Sequence, residues 1–232
     1  MAKREVMHER GSAVIRDVIL GGQDGLVNVL GIVLAVAEAT QSRYIILISG
    51  LAATFAESIS MAAVAYTSAK AGREFYRKKR EEIEVMVKKN PESARPVLRE
   101  MFSRCGLQGT LLNKAIQSLM SDKKRLHEAW VSAEMRQAEE FEHPVRDAVI
   151  VGLAAIVGSL VPLVPFIFVP TGVAMWTTLG IATLTLFASG AIKAKYTAAD
   201  PFKSGLEMAV VGMTAAIAGY LIGVALGALP IA

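Results

Sequence analysis

Residues 149–192 read VIVGLAAIVGSLVPLVPFIFVPTGVAMWTTLGIATLTLFASGAI, 44 positions without an Asp, Glu, Lys, Arg or His. A run of this kind cannot form the surface of a water-soluble domain, and it is long enough for two membrane spans of about 20 residues each. Residues 18–69, toward the N-terminus, carry only Asp24, Glu38, Arg43 and Glu57 as charges. Between these two apolar regions charges are dense: 17 of the 25 Lys and Arg lie from Lys70 to Arg146. The chain of 232 residues is 53% hydrophobic and 20% charged, and the two classes are segregated along it.

The pattern predicts an all-α polytopic membrane protein. Five transmembrane helices are expected at about 14–37, 44–69, 148–169, 173–192 and 206–229. A cytoplasmic helical domain is inserted between helices 2 and 3. The expected divisions are 1–69, 70–146 and 147–232. Long apolar runs without alternation exclude a closed barrel. The opening MAKREVMHERGS is polar and has no small-residue cleavage site, so it does not read as a signal peptide.

Orientation follows from the basic residues. Lys3, Arg4, Arg10 and Arg16 precede or open the first span, and Lys193, Lys195 and Lys203 join the last two. With five spans, 24 of the 25 Lys and Arg share one face and only Arg43 opposes them. The positive-inside rule makes that face cytoplasmic, with the N-terminus and the charged lobe inside and the C-terminus outside. The net charge of +4 therefore reflects topology and gives no ground for nucleic-acid binding. No phosphate-binding loop is present, and no Ser/His/Asp grouping lies in a span, so neither ATP-driven transport nor intramembrane hydrolysis is expected and the chain does not read as an enzyme. Cys105 is the one cysteine, and His8, His127 and His143 lack ligand spacing.

Within the charged segment, REFYRKKREEIEVMVKK has no breaker and continues the second span as one helix until Asn90-Pro91. Further helices are expected over 92–104, over LLNKAIQSLM, and over DKKRLHEAWVSAEMRQAEEFEH, which His143-Pro144 ends. About 75 residues make a marginal core by themselves.

Two carboxylates lie where lipid would surround them. Asp24 falls about 15 Å into the first span at 1.5 Å per residue, and Glu57 is similarly deep in the second. At that depth an ionisable group needs a partner or a wet cavity. Asn28 follows Asp24 by four residues and Met61 follows Glu57 by four, which puts each pair on one helix face. A carboxylate, an amide and a thioether facing one cavity suit a divalent metal of intermediate softness such as Fe²⁺ or Mn²⁺. The structural alternative is that Asp24 caps a break at Gly21-Gly22 and Glu57 is protonated and hydrogen-bonded. Gly219, Gly223 and Gly227, and Gly21 and Gly25, recur every four residues and allow close helix contact within or between subunits.

These residues resemble the vacuolar iron transporter family. The matching stretches are Arg16-Asp17-Val18-Ile19 running into Asp24-Gly25-Leu26, then Gly50-Leu51-Ala52, Ala56-Glu57 and Ile59-Ser60-Met61. In the third span, Pro162-Leu163-Val164-Pro165-Phe166 resembles the family's proline-containing segment. The resemblance implies a homodimer that moves Fe²⁺, and often Mn²⁺, out of the cytoplasm in exchange for protons, with no permanent cofactor. The positions matching Asp24, Glu57 and Met61 line the family's membrane pathway at the dimer axis, and Asn28 joins them here. The membrane would be the plasma membrane in a prokaryote and a vacuolar-type membrane in a eukaryote.

In the family, the lobe gathers metal through glutamates and methionines. Glu81, Glu84 and Glu92 match that rhythm, while the fourth position falls on Arg95. In the last lobe helix Met135 sits at a family methionine position and Glu134 replaces a second methionine. Ala138 occupies an expected glutamate position with Glu139 beside it. Met135, Glu139 and Glu142 share a face at i, i+4 and i+7. The other reading of these acids is a solvated face balanced by Lys and Arg. Two other functions fit the same sequence: transport of another divalent cation, and a membrane sensor or scaffold that transports nothing.

Overall fold

The computed structural model describes residues 2–134, 143–197 and 199–228, with side chains from residue 14 onward. Among the described residues all regular structure is helical. The helices are α1 (Ala2–Thr40), α2 (Arg43–Lys89), α3 (Arg95–Arg104), α4 (Gly109–Met120), α5 (Lys123–Glu134), α6 (Pro144–Leu160), α7 (Val164–Phe168), α8 (Thr171–Thr197) and α9 (Pro201–Gly227), with a 3-10 turn at Pro91–Ala94. Contacts divide the chain into two compact units, Met1–Tyr66 with Val145–Ala232, and Thr67–Pro144.

Among the described residues, four helical stretches that lie wholly or partly in the first unit are long and apolar enough to cross a membrane: Val14–Thr40, Arg43–Lys89, Thr171–Thr197 and Pro201–Gly227. Large apolar side chains such as Phe55, Leu153, Trp176, Leu184 and Leu221 are exposed on this unit. In water such a surface would be strongly unfavourable; lipid is its natural solvent. The interior is filled by Leu26, Leu30, Leu34, Leu186, Met208 and Ala216 in one cluster. Val29, Val33, Ile46, Leu163, Phe166 and Ala174 fill a second.

The segment expected as one span over 148–169 is not a single helix. The first part, α6, stops at Leu160 after 17 residues, about 25 Å at 1.5 Å per residue and short of a hydrocarbon core of about 30 Å. The cause is the pair of prolines. Pro165 has no N–H to continue the ladder, and the Phe166 N–H donates instead to the Leu163 carbonyl at 3.1 Å. That leaves the Pro162 carbonyl without its helical donor. The buried Thr178 hydroxyl of α8 takes the place, donating to it at 3.1 Å. A break in the backbone is thus satisfied by a neighbouring helix, as apolar surroundings require.

Other ends are set by local chemistry. The Asp200 carboxylate caps α9, accepting from the N–H groups of Phe202 at 2.9 Å and Lys203 at 3.1 Å, with Pro201 in the first turn. Arg43, which opens α2, donates to the Val169 carbonyl at 2.8 Å just beyond α7. The α1–α2 link turns through Gln41 at φ 51, a left-handed conformation that Gly or Asn adopts more readily.

Helices approach closely where side chains vanish. A Cβ at Gly21 or Gly25 would collide with the α6 backbone at Val151 or Ala155. A Cβ at Gly219 or Gly223 would collide with the α1 backbone at Gly31 or Ala35. The glycine ridges in α1 and α9 therefore pack within one chain.

In the second unit, Asn90-Pro91 ends α2 at Lys89, as the sequence predicts. Its last turns pack Ile83 and Val87 against Ala94, Leu98, Ile116, Leu126 and Trp130. The Pro91–Ala94 turn and α3 occupy the expected second helix, and α4 the third. The expected fourth appears as α5, with 135–142 outside the described residues.

Gly219→Leu should lower stability by about 1–3 kcal/mol, the usual cost of overpacking. Gly180→Ala, where nothing lies within 4 Å of an added Cβ, should leave stability unchanged or raise it slightly. Thermal unfolding of both variants in detergent checks this pair.

Candidate functional site

Asp24 is on α1 and Glu57 on α2, the first two apolar helices. The structure brings them together: the Glu57 carboxyl is within hydrogen-bonding reach of both the Asp24 carboxyl and the Asn28 side-chain amide. Asp24 and Glu57 are half-buried, and Asn28 lies at the exposed edge. Met61, also half-buried, stands one turn further along α2. Two carboxyls side by side repel when both are ionised. A proton held between them or a cation bound by both relieves that repulsion. Asn28 supplies a neutral carbonyl oxygen beside them, and Met61 a soft sulfur.

Local structure explains the placement. Gly25 and Gly21 bring α1 against α6, which fixes the rotation of α1 on either side of Asp24. Around Glu57, α2 is held by buried hydroxyls that bond back along the helix: Thr54 Oγ1 donates to the Gly50 carbonyl at 2.8 Å and Ser58 Oγ to the Thr54 carbonyl at 2.6 Å. Ser159 of α6 is fully buried against Gly25, and its Oγ has no hydrogen-bond partner among the described residues.

A second group of charges escapes sequence reading. Asp17 of α1 is 7% exposed and Asp147 of α6 is 8% exposed, and the two lie close enough to repel. Each has an arginine immediately before it. Arg16 Nη2 is 3.5 Å from the Asp17 carboxylate, and Arg146 donates to Asp147 through Nε at 3.0 Å and Nη2 at 2.9 Å. The residues are some 130 positions apart in the chain. The signal that could have found them is the recurrence of the Arg-Asp dipeptide at the opening of two apolar helices.

The predicted lobe ligands are placed differently. Glu84 accepts from Lys88 Nζ at 2.6 Å, and this contact holds its carboxyl below the ordinary range. Arg95 donates to Glu92 through Nε at 2.8 Å and Nη2 at 3.2 Å, which lowers the Glu92 carboxyl and raises the guanidinium. Glu134 accepts from Trp130 Nε1 at 2.7 Å and pairs with Lys79 at 3.2 Å. Glu81 is exposed on α2. Among the described residues no three His, Cys, Asp or Glu converge as a metal cage. Met135, Glu139 and Glu142 lie outside the described residues.

Comparison with known proteins adds a family. The sequence profile of the VIT family matches residues 15–224. The chain is 31% identical to vacuolar iron transporter 1 of Oryza sativa over 92% of its length and 85% of that protein's. It is 30% identical to vacuolar iron transporter 1 of Tulipa gesneriana, covering 95% and 90%. With vacuolar iron transporter 1 of Arabidopsis thaliana the identity is 26%, covering 92% and 86%.

The Glu92–Arg95 pair has a defined pH dependence. A carboxyl lowered in the folded state contributes above its ordinary pKa, and the contribution is lost as pH falls through the lowered value. Both groups are exposed, so the effect on stability is small. Arg95→Ala should move the Glu92 titration back up toward the ordinary glutamate range, read from side-chain carboxyl NMR shifts. An unmoved titration would remove Arg95 as the cause.

Proposed function

The chain belongs to the VIT family, and on that premise we propose that it is a proton-coupled carrier that exports Fe²⁺, and also Mn²⁺, from the cytoplasm. The observation that supports this best is the carboxyl pair Asp24–Glu57, brought into hydrogen-bonding reach on two apolar helices with Asn28 beside it. Ionisable groups at such depth are costly unless they serve an ion or proton path. The relatives' names, vacuolar iron transporters, support iron as the cargo.

The mechanism runs through exchange at that pair. A divalent cation occupies the space between the two carboxylates, with the Asn28 carbonyl and Met61 sulfur as further donors. Protons arriving from the far side neutralise the carboxylates, whose hold on the cation then fails, and the ion leaves. Deprotonation toward the cytoplasm resets the pair. In this reading α6, the turn and α7 together form a fifth, broken span, so that 24 of the 25 Lys and Arg share the cytoplasmic face. The divisions 1–69, 70–146 and 147–232 are then two membrane portions and a cytoplasmic lobe. Two copies form the transporter, with the pathway along their shared axis.

The lobe is assigned the capture of cytoplasmic metal by Glu81, Glu84, Glu92 and Glu134, with Met135, Glu139 and Glu142 completing the set. Since Glu84, Glu92 and Glu134 already have basic partners, metal must displace Lys88, Arg95 and Lys79, and capture is weak.

Asp24→Asn keeps size and hydrogen bonding but removes a charge. It should reduce Fe²⁺ and Mn²⁺ flux into proteoliposomes under an imposed pH gradient by roughly a hundredfold, at least the loss seen when metal-site support is removed. Normal flux in the variant would sink the assignment. Glu81→Ala with Glu84→Ala should weaken Mn²⁺ binding by the purified protein in titration calorimetry. Unchanged affinity would reduce those two residues to solvated surface.

A further inference from the structure

The first unit contains a cavity of about 240 Å³ between residues 15–23 of α1 and the end of α8, and neither Asp24 nor Glu57 lines it. Its walls include Arg16, Ile19, Leu20 and Gln23 from α1 and Lys193 and Tyr196 from α8. From this cavity we infer a binding site for the headgroup of an anionic phospholipid, independent of the transport reading.

Three features support the assignment. The charged lining is basic: Arg16 and Lys193 both face the cavity and no carboxylate among the described residues lines it. Asp17, next in sequence, pairs with Arg16 at 3.5 Å, so Lys193 is the cation on which the site chiefly depends. The depth is that of a headgroup. Arg16 lies two residues before the apolar run that begins at Val18, and Lys193 directly follows the uncharged run that ends at Ile192. Both cations therefore sit at the edge of the apolar stretch of their helix. A phosphate at the membrane surface reaches that level; a soluble metabolite has no reason to seek it.

The third feature is the division of the walls. Lys193 and Arg16 meet a phosphate, Tyr196 offers it a hydrogen bond, Ile19 and Leu20 present apolar surface beyond them, and Gln23, about 10 Å along α1 from Arg16, reaches the ester carbonyls of the acyl chains. Tyrosine at this depth also has the amphipathic character favoured at the interface. Lys195 in the last turn of α8 and Lys203 in the first turn of α9 add positive potential that concentrates anionic lipid, each basic group contributing about fivefold near the surface. A cavity with only apolar walls would take any lipid tail. Two cations with a tyrosine on the same wall as Lys193 select for a negative headgroup.

The test uses the full-length protein in nanodiscs of phosphatidylcholine with a minor fraction of phosphatidylglycerol. Native mass spectrometry then counts the phosphatidylglycerol retained. The wild type should retain it in preference to phosphatidylcholine, and Lys193→Gln should weaken retention about fivefold. Lys193 is exposed on α8, so the variant should fold. Lys114→Gln, which removes an exposed lysine of the second unit, should leave retention unchanged. Millimolar inorganic phosphate should not displace the lipid. Equal retention in wild type and Lys193→Gln would overturn the site. So would an equal loss in Lys114→Gln, which would mean general charge attraction. Displacement by inorganic phosphate would identify a free-anion site and overturn the lipid assignment.

Discussion

Gly21 and Gly25 let α1 meet α6 backbone to backbone, and Gly219 and Gly223 let α9 meet α1 in the same way. In lipid there is no hydrophobic drive to press helices together, so close van der Waals contact must supply it. The consequence for function is rotational. With α6 on one side and α9 on another, α1 has no freedom to turn, and Asp24, between Gly21 and Gly25, is held toward Glu57. The carboxyl pair thus depends on glycines that carry no chemistry.

The second constraint is that polar groups in an apolar medium must find partners inside the protein. The break at residues 161–163 shows how this is met. Two prolines interrupt the ladder, and the Thr178 hydroxyl takes up the carbonyl of Pro162. Asp17 and Asp147 follow the same rule with Arg16 and Arg146. Asp24 and Glu57 differ, because their partners are each other and a neutral amide. Neither neighbour offsets their charge as a proton or a cation would, which is why the proposed transport step is centred there.

Much of this was legible in the sequence because lipid imposes coarse rules. The 44-residue uncharged run, the concentration of Lys and Arg, and the stop at Asn90-Pro91 each follow from one-dimensional patterns. Asp24 and Glu57 stood out for the same reason: a charge within an apolar run is visible without a structure. The broken helix near Pro162 was less legible, since hydropathy averages over the backbone and takes no account of missing N–H groups. The Asp17–Asp147 group left only a repeated Arg-Asp dipeptide as a trace in the sequence, because its members meet only after α1 and α6 pack. In the charged lobe, spacing alone made Glu84, Glu92 and Glu134 candidate ligands. Spacing does not show which basic side chain reaches each carboxylate first, and Lys88, Arg95 and Lys79 do so here.

The central claim is that a divalent metal occupies the space between Asp24 and Glu57. The most direct measurement is anomalous diffraction from crystals of the full-length protein soaked in Fe²⁺ or Mn²⁺, recorded on either side of the metal's absorption edge. The account predicts an anomalous peak within bonding distance of both carboxylates, absent from crystals of Asp24→Asn. Well-diffracting crystals with no peak at the pair, or a peak that persists in Asp24→Asn, would contradict it.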